Sequence, residues 1–166
     1  PMQFAVCVTD RHAYLALLND YFECLLGPVL ERQGQVLRFI GGAALAIFPV
    51  GERPAEACAK ALAAARAALA RLEKLNENRE RPLRCGIGLH LGELTYGNIG
   101  TPTRIEFTVV GAAANEAARI EGLCRELDAD LLVSERVARQ LPEAWRSLGS
   151  HTLRGVGDKM ELFTLP

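Results

Sequence analysis

The stretch over residues 107–121 constrains the fold of this 166-residue chain most, because a β-branched strand passes through Gly111 directly into a helix. Asn115 and Arg119 are four residues apart in that helix, so they project from one face, one turn apart. An amide and a guanidinium at this spacing could hold a ribose oxygen and a phosphate together, because Arg offers a planar fork of donors. The alternative interpretation is a surface Asn and a solvated Arg on an amphipathic helix.

Hydrophobic periodicity predicts alternating strands and helices along the rest of the chain. The predicted strands are residues 4–9, 34–40, 43–48, 82–94, 104–110, 131–134, 145–153 and 160–165, and residues 97–103 read as a turn-rich arm. The predicted helices are residues 12–26, 54–75, 112–127 and 135–141. This order predicts an α+β fold with a ferredoxin-like βαββαβ core, added C-terminal strands, and helices on one face of a mainly antiparallel sheet.

Composition excludes several classes of protein. Hydrophobic residues make up 49% of the chain and charged residues 23%, which is ordinary for a globular protein. A length of 166 residues is typical of one domain, so we expect a single domain over residues 1–166. The net charge of −1 provides no basic field that would attract nucleic acid or an anionic membrane surface. No apolar run approaches the ~20 residues of a membrane span, and the start has no signal-peptide pattern.

The cysteines and histidines favour a reduced compartment. The five cysteines are odd in number and lack CxxC spacing, and each lies in an apolar context, where Cys usually acts as a small buried hydrophobe. The three histidines are far apart, so a zinc site is not expected. We expect a cytoplasmic protein, which could also be the cytosolic domain of a longer one.

Four sequence segments, taken in order, carry a family resemblance. They are LRFIGGAALAIF at residues 37–48, GIGLHLGE at 86–93, YGNIG at 96–100 and FTVVGAAANEAARIE at 107–121. Together they resemble the catalytic domain of class III adenylate and guanylate cyclases, of the bacterial adenylate cyclase type. The resemblance extends over residues 14–165. It also carries the first predicted helix past Gly27 and Pro28 to about Arg32, with a kink there.

The resemblance implies a reaction and its requirements. ATP or GTP cyclises when the ribose 3′ hydroxyl attacks the α-phosphate and pyrophosphate leaves, a reaction that depends on positioning and charge neutralisation. Two Mg²⁺ or Mn²⁺ ions supply much of that charge neutralisation and are held by two aspartates. The sites form across a head-to-tail dimer, in which one subunit brings the aspartates and the other brings the Asn, the Arg and the purine contacts.

The resemblance also assigns roles to residues of the nucleotide-contacting group. Asn115 would orient the ribose, and Arg119 would stabilise negative charge on the α-phosphate. Thr108 stands where many bacterial adenylate cyclases read the purine edge, which favours ATP over GTP. Arg38 occupies the position of a purine-contacting Lys and, like Lys, can only donate hydrogen bonds. Arg154 is a candidate for the triphosphate, with a solvated loop Arg as the alternative.

The metal-binding group departs from the family pattern. Gly42 stands where the hairpin aspartate is expected, and glycine has no ligand atom. Loss of this contribution should cost roughly a thousandfold in rate or more. Asp10 matches the first metal aspartate, although a helix N-cap is an equal interpretation. About a dozen residues that the family places after it are absent before Arg11, through either a natural deletion or an omitted stretch.

Three hypotheses about activity follow from these residues. The chain could be a homodimeric adenylate cyclase, a pseudo-cyclase subunit that complements a partner carrying both aspartates, or a regulatory module without turnover. Gly42 favours the second and third, and the retained Asn115 and Arg119 favour the second over the third. The hairpin is loosely similar to that of diguanylate cyclases, but the acids expected after its glycines are absent. His90, in the second segment, is expected to be packed and hydrogen-bonded rather than catalytic.

Overall fold

The computed structural model describes residues 11–40, 42–102, 104–157 and 159–166. The predicted strand over residues 4–9, Cys7 and Asp10 lie outside the described residues. Contacts divide the chain into two units, which meet in sequence between Cys85 and Gly86. The prediction of one domain over the whole chain stays a prediction.

In the described part of the first unit, the chain forms two helices and a hairpin. Helix α1 spans Arg11–Glu31, and it includes Pro28, so the expected continuation past Gly27 is confirmed. Strands β1 (Gln35–Ile40) and β2 (Ala43–Ile47) pair antiparallel, with Ile40 opposite Ala43, which confirms the predicted hairpin. The hairpin therefore places Gly42 at the turn, where the family resemblance expects an aspartate.

Helix α2 (Pro54–Asn76) packs through small side chains. Pro54 begins it, as predicted, because the first turn needs no proline donor. Its buried face consists of alanines, Cys58, Leu62 and Leu72, and burial raises the pKa of the Cys58 thiol. Leu72 joins Tyr21 of α1 and Leu83 in one core cluster.

The second unit contains a four-stranded sheet and a separate two-stranded ribbon. The sheet has the order β3 (Ile87–Leu89), β6 (Leu131–Ser134), β8 (Lys159–Thr164) and β7 (Arg146–Thr152). Only β3 and β6 are parallel among these described strands, so the sheet is mainly antiparallel, as predicted. The ribbon pairs β4 (Thr95–Thr101) with β5 (Arg104–Val110).

Two short helices complete this unit. Helix α3 spans Ala112–Gly122, and the chain then continues in turns, so the predicted helix over residues 112–127 is shorter than expected. Helix α4 (Glu135–Ala138) follows β6 directly. The core gathers side chains from α3, the turns that follow it, the sheet and the loop that precedes β8: Ile120, Cys124, Ala129, Leu132, Leu153 and Leu162.

The strand predicted over residues 82–94 is wrong in extent. Only Ile87–Leu89 is strand there, and a new strand, Thr95–Thr101, covers most of the turn-rich arm that was predicted over residues 97–103. Gly97, Asn98 and Gly100 are typical of turns, but β4 pairs with β5 at every position from Thr95 to Thr101. Ladder pairing overrides the local preference of these residues, because strand formation depends on cross-strand neighbours. Among the described residues, no helix is long and apolar enough to cross a membrane.

Candidate functional site

The junction between β5 and α3 requires glycine. Gly111 precedes the helix with φ of 149° and ψ of 150°, a conformation that L side chains rarely adopt. A Cβ atom at this position would lie 2.8 Å from Leu94 Cα and 2.9 Å from Glu93 O. The strand can therefore turn directly into α3 only because residue 111 has no side chain.

The predicted polar pair lies on α3, beyond this junction. Asn115 and Arg119 are both exposed and lie one turn apart on the same helix. Arg119 is in the last turn, where a cation also interacts favourably with the helix dipole, so its charge has a structural benefit as well. The geometry leaves both side chains accessible to a ligand.

Thr108 lies on β5, three residues before the junction. It is half-buried and stands opposite Gly97 in the ribbon. In the part of the chain that the structure describes, a Cβ atom at Gly97 would have no heavy atom within 4 Å. Open space therefore adjoins the position opposite Thr108, on the face of the ribbon that both residues share.

The remaining predicted contacts lie on other elements. Arg38 is exposed on β1 of the first unit, where it pairs in register with Leu45. Arg154 is exposed in the loop between β7 and β8, next to Gly155, whose φ is 82°. The second unit thus brings Thr108, Asn115 and Arg119 together on consecutive elements, whereas Arg38 belongs to the first unit.

The residues expected to hold metal ions do not fit two cations. Gly42 has no side chain, and Asp10 lies outside the described residues. Within residues 11–40, 42–102, 104–157 and 159–166, no group of three or more His, Cys, Asp or Glu residues could hold a metal ion. The hairpin therefore supplies no carboxylate where the resemblance requires one.

A buried polar contact that sequence reasoning missed lies behind the polar pair. His90 follows β3, and its side chain has no exposed surface, which confirms that it is packed. Its Nε2 atom lies 2.7 Å from Glu116 Oε2, although neither ring nitrogen makes a well-aligned hydrogen bond within the described residues. Burial lowers the pKa of His90, and the nearby Glu116 carboxylate opposes this effect. The Glu116 carboxylate is therefore the polar group that faces the buried His90 ring.

The ribbon exposes apolar side chains on both of its faces. Tyr96 and Phe107 are 40% and 39% exposed, with ring centroids 6.3 Å apart. Ile99 and Val110 are 61% and 57% exposed on the opposite face, as their register shows. A two-stranded ribbon is marginally stable by itself in water, and its exposed apolar side chains make it a candidate interaction surface.

Comparison with known proteins identifies the class to which this fold and these motifs belong. Residues 4–166 match the family described as the adenylate and guanylate cyclase catalytic domain. The chain belongs to this family, that is, to the class III nucleotidyl cyclase domains.

Individual relatives support the assignment. The chain is 35% identical over 138 residues to an adenylate cyclase of Anabaena cylindrica. The aligned region covers 77% of this chain and 26% of that protein. It is 41% identical over 146 residues to an uncharacterized protein of Mycobacterium tuberculosis, with 84% and 26% covered. The fold is similar to that of the adenylyl cyclase CyaB from P. aeruginosa, with a TM-score of 0.74, 22% identity, and 93% and 82% of the two chains covered. The chain spans about a quarter of the length of the curated relatives it matches.

Proposed function

We propose that this domain acts on ATP as an adenylate cyclase-type subunit that supplies nucleotide contacts and is a weak catalyst as a homodimer. The observation that carries the proposal is the contrast between the exposed pair Asn115 and Arg119 and the metal position Gly42. The pair keeps the polar atoms that a ribose and a phosphate require, whereas Gly42 has no ligand atom.

Each contact has a defined role in the proposal. Asn115 orients the ribose through its amide, and Arg119 donates hydrogen bonds to oxygens of the α-phosphate as negative charge develops there. Thr108 reads the purine edge beside the open space on the ribbon, and Arg38 donates hydrogen bonds to the purine as part of the same nucleotide-contacting group. Arg154 contacts the triphosphate.

ATP is the favoured substrate for two reasons. Thr108 stands at the purine-reading position of the bacterial adenylate cyclase type, and one of the relatives that resembles this chain is an adenylate cyclase. A hydroxyl can both donate and accept, so it can pair with the adenine edge. A cytoplasmic setting, which supplies ATP, belongs to the same proposal.

The weak point of the proposed homodimer is its metal site. Mg²⁺ or Mn²⁺ would neutralise the triphosphate, but position 42 offers no oxygen and only Asp10 matches a family ligand. A partner cyclase domain that carries both aspartates would provide the missing carboxylates. This is why we place the chain in a heterodimer or in a homodimer of low activity.

The apolar ribbon supports the dimer part of the proposal. Tyr96 and Phe107 on one face and Ile99 and Val110 on the other would be covered by a second copy or by a homologous domain, arranged head to tail. Such an arrangement places the α3 of one subunit opposite the hairpin of the other. The net charge of −1 supports neither nucleic acid nor membrane contact by this domain.

The alternative function is a catalytically inactive module that binds nucleotide or a cyclase partner for regulation. Gly42 favours this alternative over an efficient enzyme. The exposed Asn115 and Arg119 favour the complementing subunit, because a purely structural subunit has no need of them.

Cyclic AMP formation from ATP with Mg²⁺ or Mn²⁺ tests the proposal. We expect little product from the purified chain alone, and rescue when it is mixed with a cyclase domain that keeps both aspartates but lacks its own Asn and Arg. The Arg119→Ala variant in the same mixture is the matched control, and it should abolish the rescue. Robust turnover by the chain alone would refute the impaired homodimer, and absence of rescue over a range of partners would favour the regulatory module.

A further inference from the structure

Glu116 is an unusual residue for the inner face of α3. Its side chain is only 17% exposed, and it lies in register with the buried Ala113 and Ile120, three residues before and four residues after it. Carboxylates are rarely buried unless they are paired, because removing the charge from water is costly. The buried His90 ring, 2.7 Å away, is the polar group that faces it.

The position of Glu116 in the helix links it to the polar pair. Successive residues of an α-helix are rotated by about 100°, so Asn115 and Arg119 lie about 40° from each other on the outer side. Glu116 lies about 100° from Asn115, on the inner side. Fixing the direction of Glu116 therefore fixes the direction in which both exposed residues point.

Packing holds α3 close to the sheet, with Ile120 of its inner face buried in the core cluster. A Cβ atom at Gly88 would lie 2.7 Å from Ala117 O and from Glu121 N, so β3 approaches the backbone of the helix closely. This approach sets the distance between strand and helix. Ala113 and Ile120 are the buried apolar residues of this face, and the contact between Glu116 and His90 adds a polar restraint to their packing.

We propose that His90 and Glu116 form a positioning pair that sets the rotation of α3 and thereby the directions of Asn115 and Arg119 toward the nucleotide. The pair acts through the helix and touches no substrate, because the His90 side chain has no exposed surface. This inference rests on the proposed function, in that it assigns the pair to the same nucleotide site.

Two substitutions of Glu116 separate the polar contact from simple packing. Glu116→Met keeps a similar side-chain length but removes the polar atoms, and Glu116→Gln keeps a polar side chain of the same length opposite His90. Glu126→Gln, at an exposed position beyond α3, is the control. The affinity of each purified variant for the α,β-methylene analogue of ATP with Mn²⁺ is measured by titration calorimetry. Amide hydrogen exchange of residues 112–122 reports on the helix itself.

We expect Glu116→Met to weaken binding of the analogue by about tenfold or more, because small displacements of positioned groups have large effects. Glu116→Gln should restore binding to within about threefold of the unmodified chain, and the control should not change it. Exchange in α3 should increase in the Met variant alone. If the Glu116→Met variant folds and neither its affinity nor its hydrogen exchange changes, the proposal is overturned. If the Glu116→Met variant does not fold, the Glu116→Gln variant decides: weakened binding by a folded Glu116→Gln variant contradicts the expected near-normal binding and overturns the proposal.

The binding measurement and the hydrogen-exchange measurement together distinguish this inference from the proposed function. If the unmodified chain does not bind the analogue, the proposed nucleotide site is refuted. The hydrogen-exchange arm then still decides whether His90 and Glu116 anchor α3, because it requires no ligand.

Discussion

The close packing of α3 on β3 leads to a specific prediction for the Gly88→Ala variant. The added methyl group would lie 2.7 Å from Ala117 O and Glu121 N, which are both backbone atoms and cannot move by changing rotamer. To restore ordinary contact the helix would have to move by about 0.7 Å, and overpacking of this kind typically costs about 1–3 kcal/mol of unfolding free energy. For a chain of this size, the melting temperature should fall by about 2–12 °C.

The Gly122→Ala variant provides the matched control. Gly122 ends the same helix, and among the described residues nothing lies within 4 Å of a Cβ atom built there. Alanine should leave stability unchanged or increase it by up to about 1 kcal/mol, because it has the higher helix propensity. Both variants are compared by thermal unfolding monitored by circular dichroism. If Gly88→Ala melts as the unmodified chain does, the close approach of β3 to α3 is not a determinant of this unit.

Three further predictions concern stability. Asn76→Ala should cost about 1–3 kcal/mol in urea unfolding, because Asn76 accepts from Leu83 N and donates to Leu83 O, both at 2.8 Å. Leu132→Ala should cost about 2–5 kcal/mol in the same assay, because Leu132 is completely buried; a smaller loss would contradict its core position. Burial lowers the pKa of His90, so the unfolded chain binds the proton more readily, and stability should fall as the pH drops below about 6.5. His90→Gln should remove this loss and His151→Gln should keep it; equal pH profiles would refute the assignment.

Local sequence preferences were sufficient to predict much of the fold. The strand, glycine and helix over residues 107–121, the hairpin around residues 41–42 and the long alanine-rich helix all follow from propensity and periodicity. These features depend on neighbours in sequence. The exposure of Asn115 and Arg119 on one face of α3 could be predicted for the same reason.

The features that sequence reasoning missed depend on contacts distant in sequence. Strand β4 contains Gly97 and Gly100, and only its pairing with β5 makes it a strand. The parallel pairing of β3 with β6 joins segments more than forty residues apart and has no local signal. From the sequence alone Glu116 is expected to be exposed on the helix, because no local signal indicates that His90 lies behind it. The spacing of Glu116 from Ala113 and Ile120 was the available signal, because it puts a carboxylate in an apolar stripe.

The lack of space for a side chain at Gly111 has a mechanical consequence. Backbone atoms of Glu93 and Leu94, at the base of the ribbon, leave no room for a side chain there, so ribbon and helix share one tightly held joint. A neighbouring subunit that bends the ribbon would therefore tilt α3 at the same time. If the proposed subunit docks on the ribbon, its position would therefore also affect the direction in which Asn115 and Arg119 point.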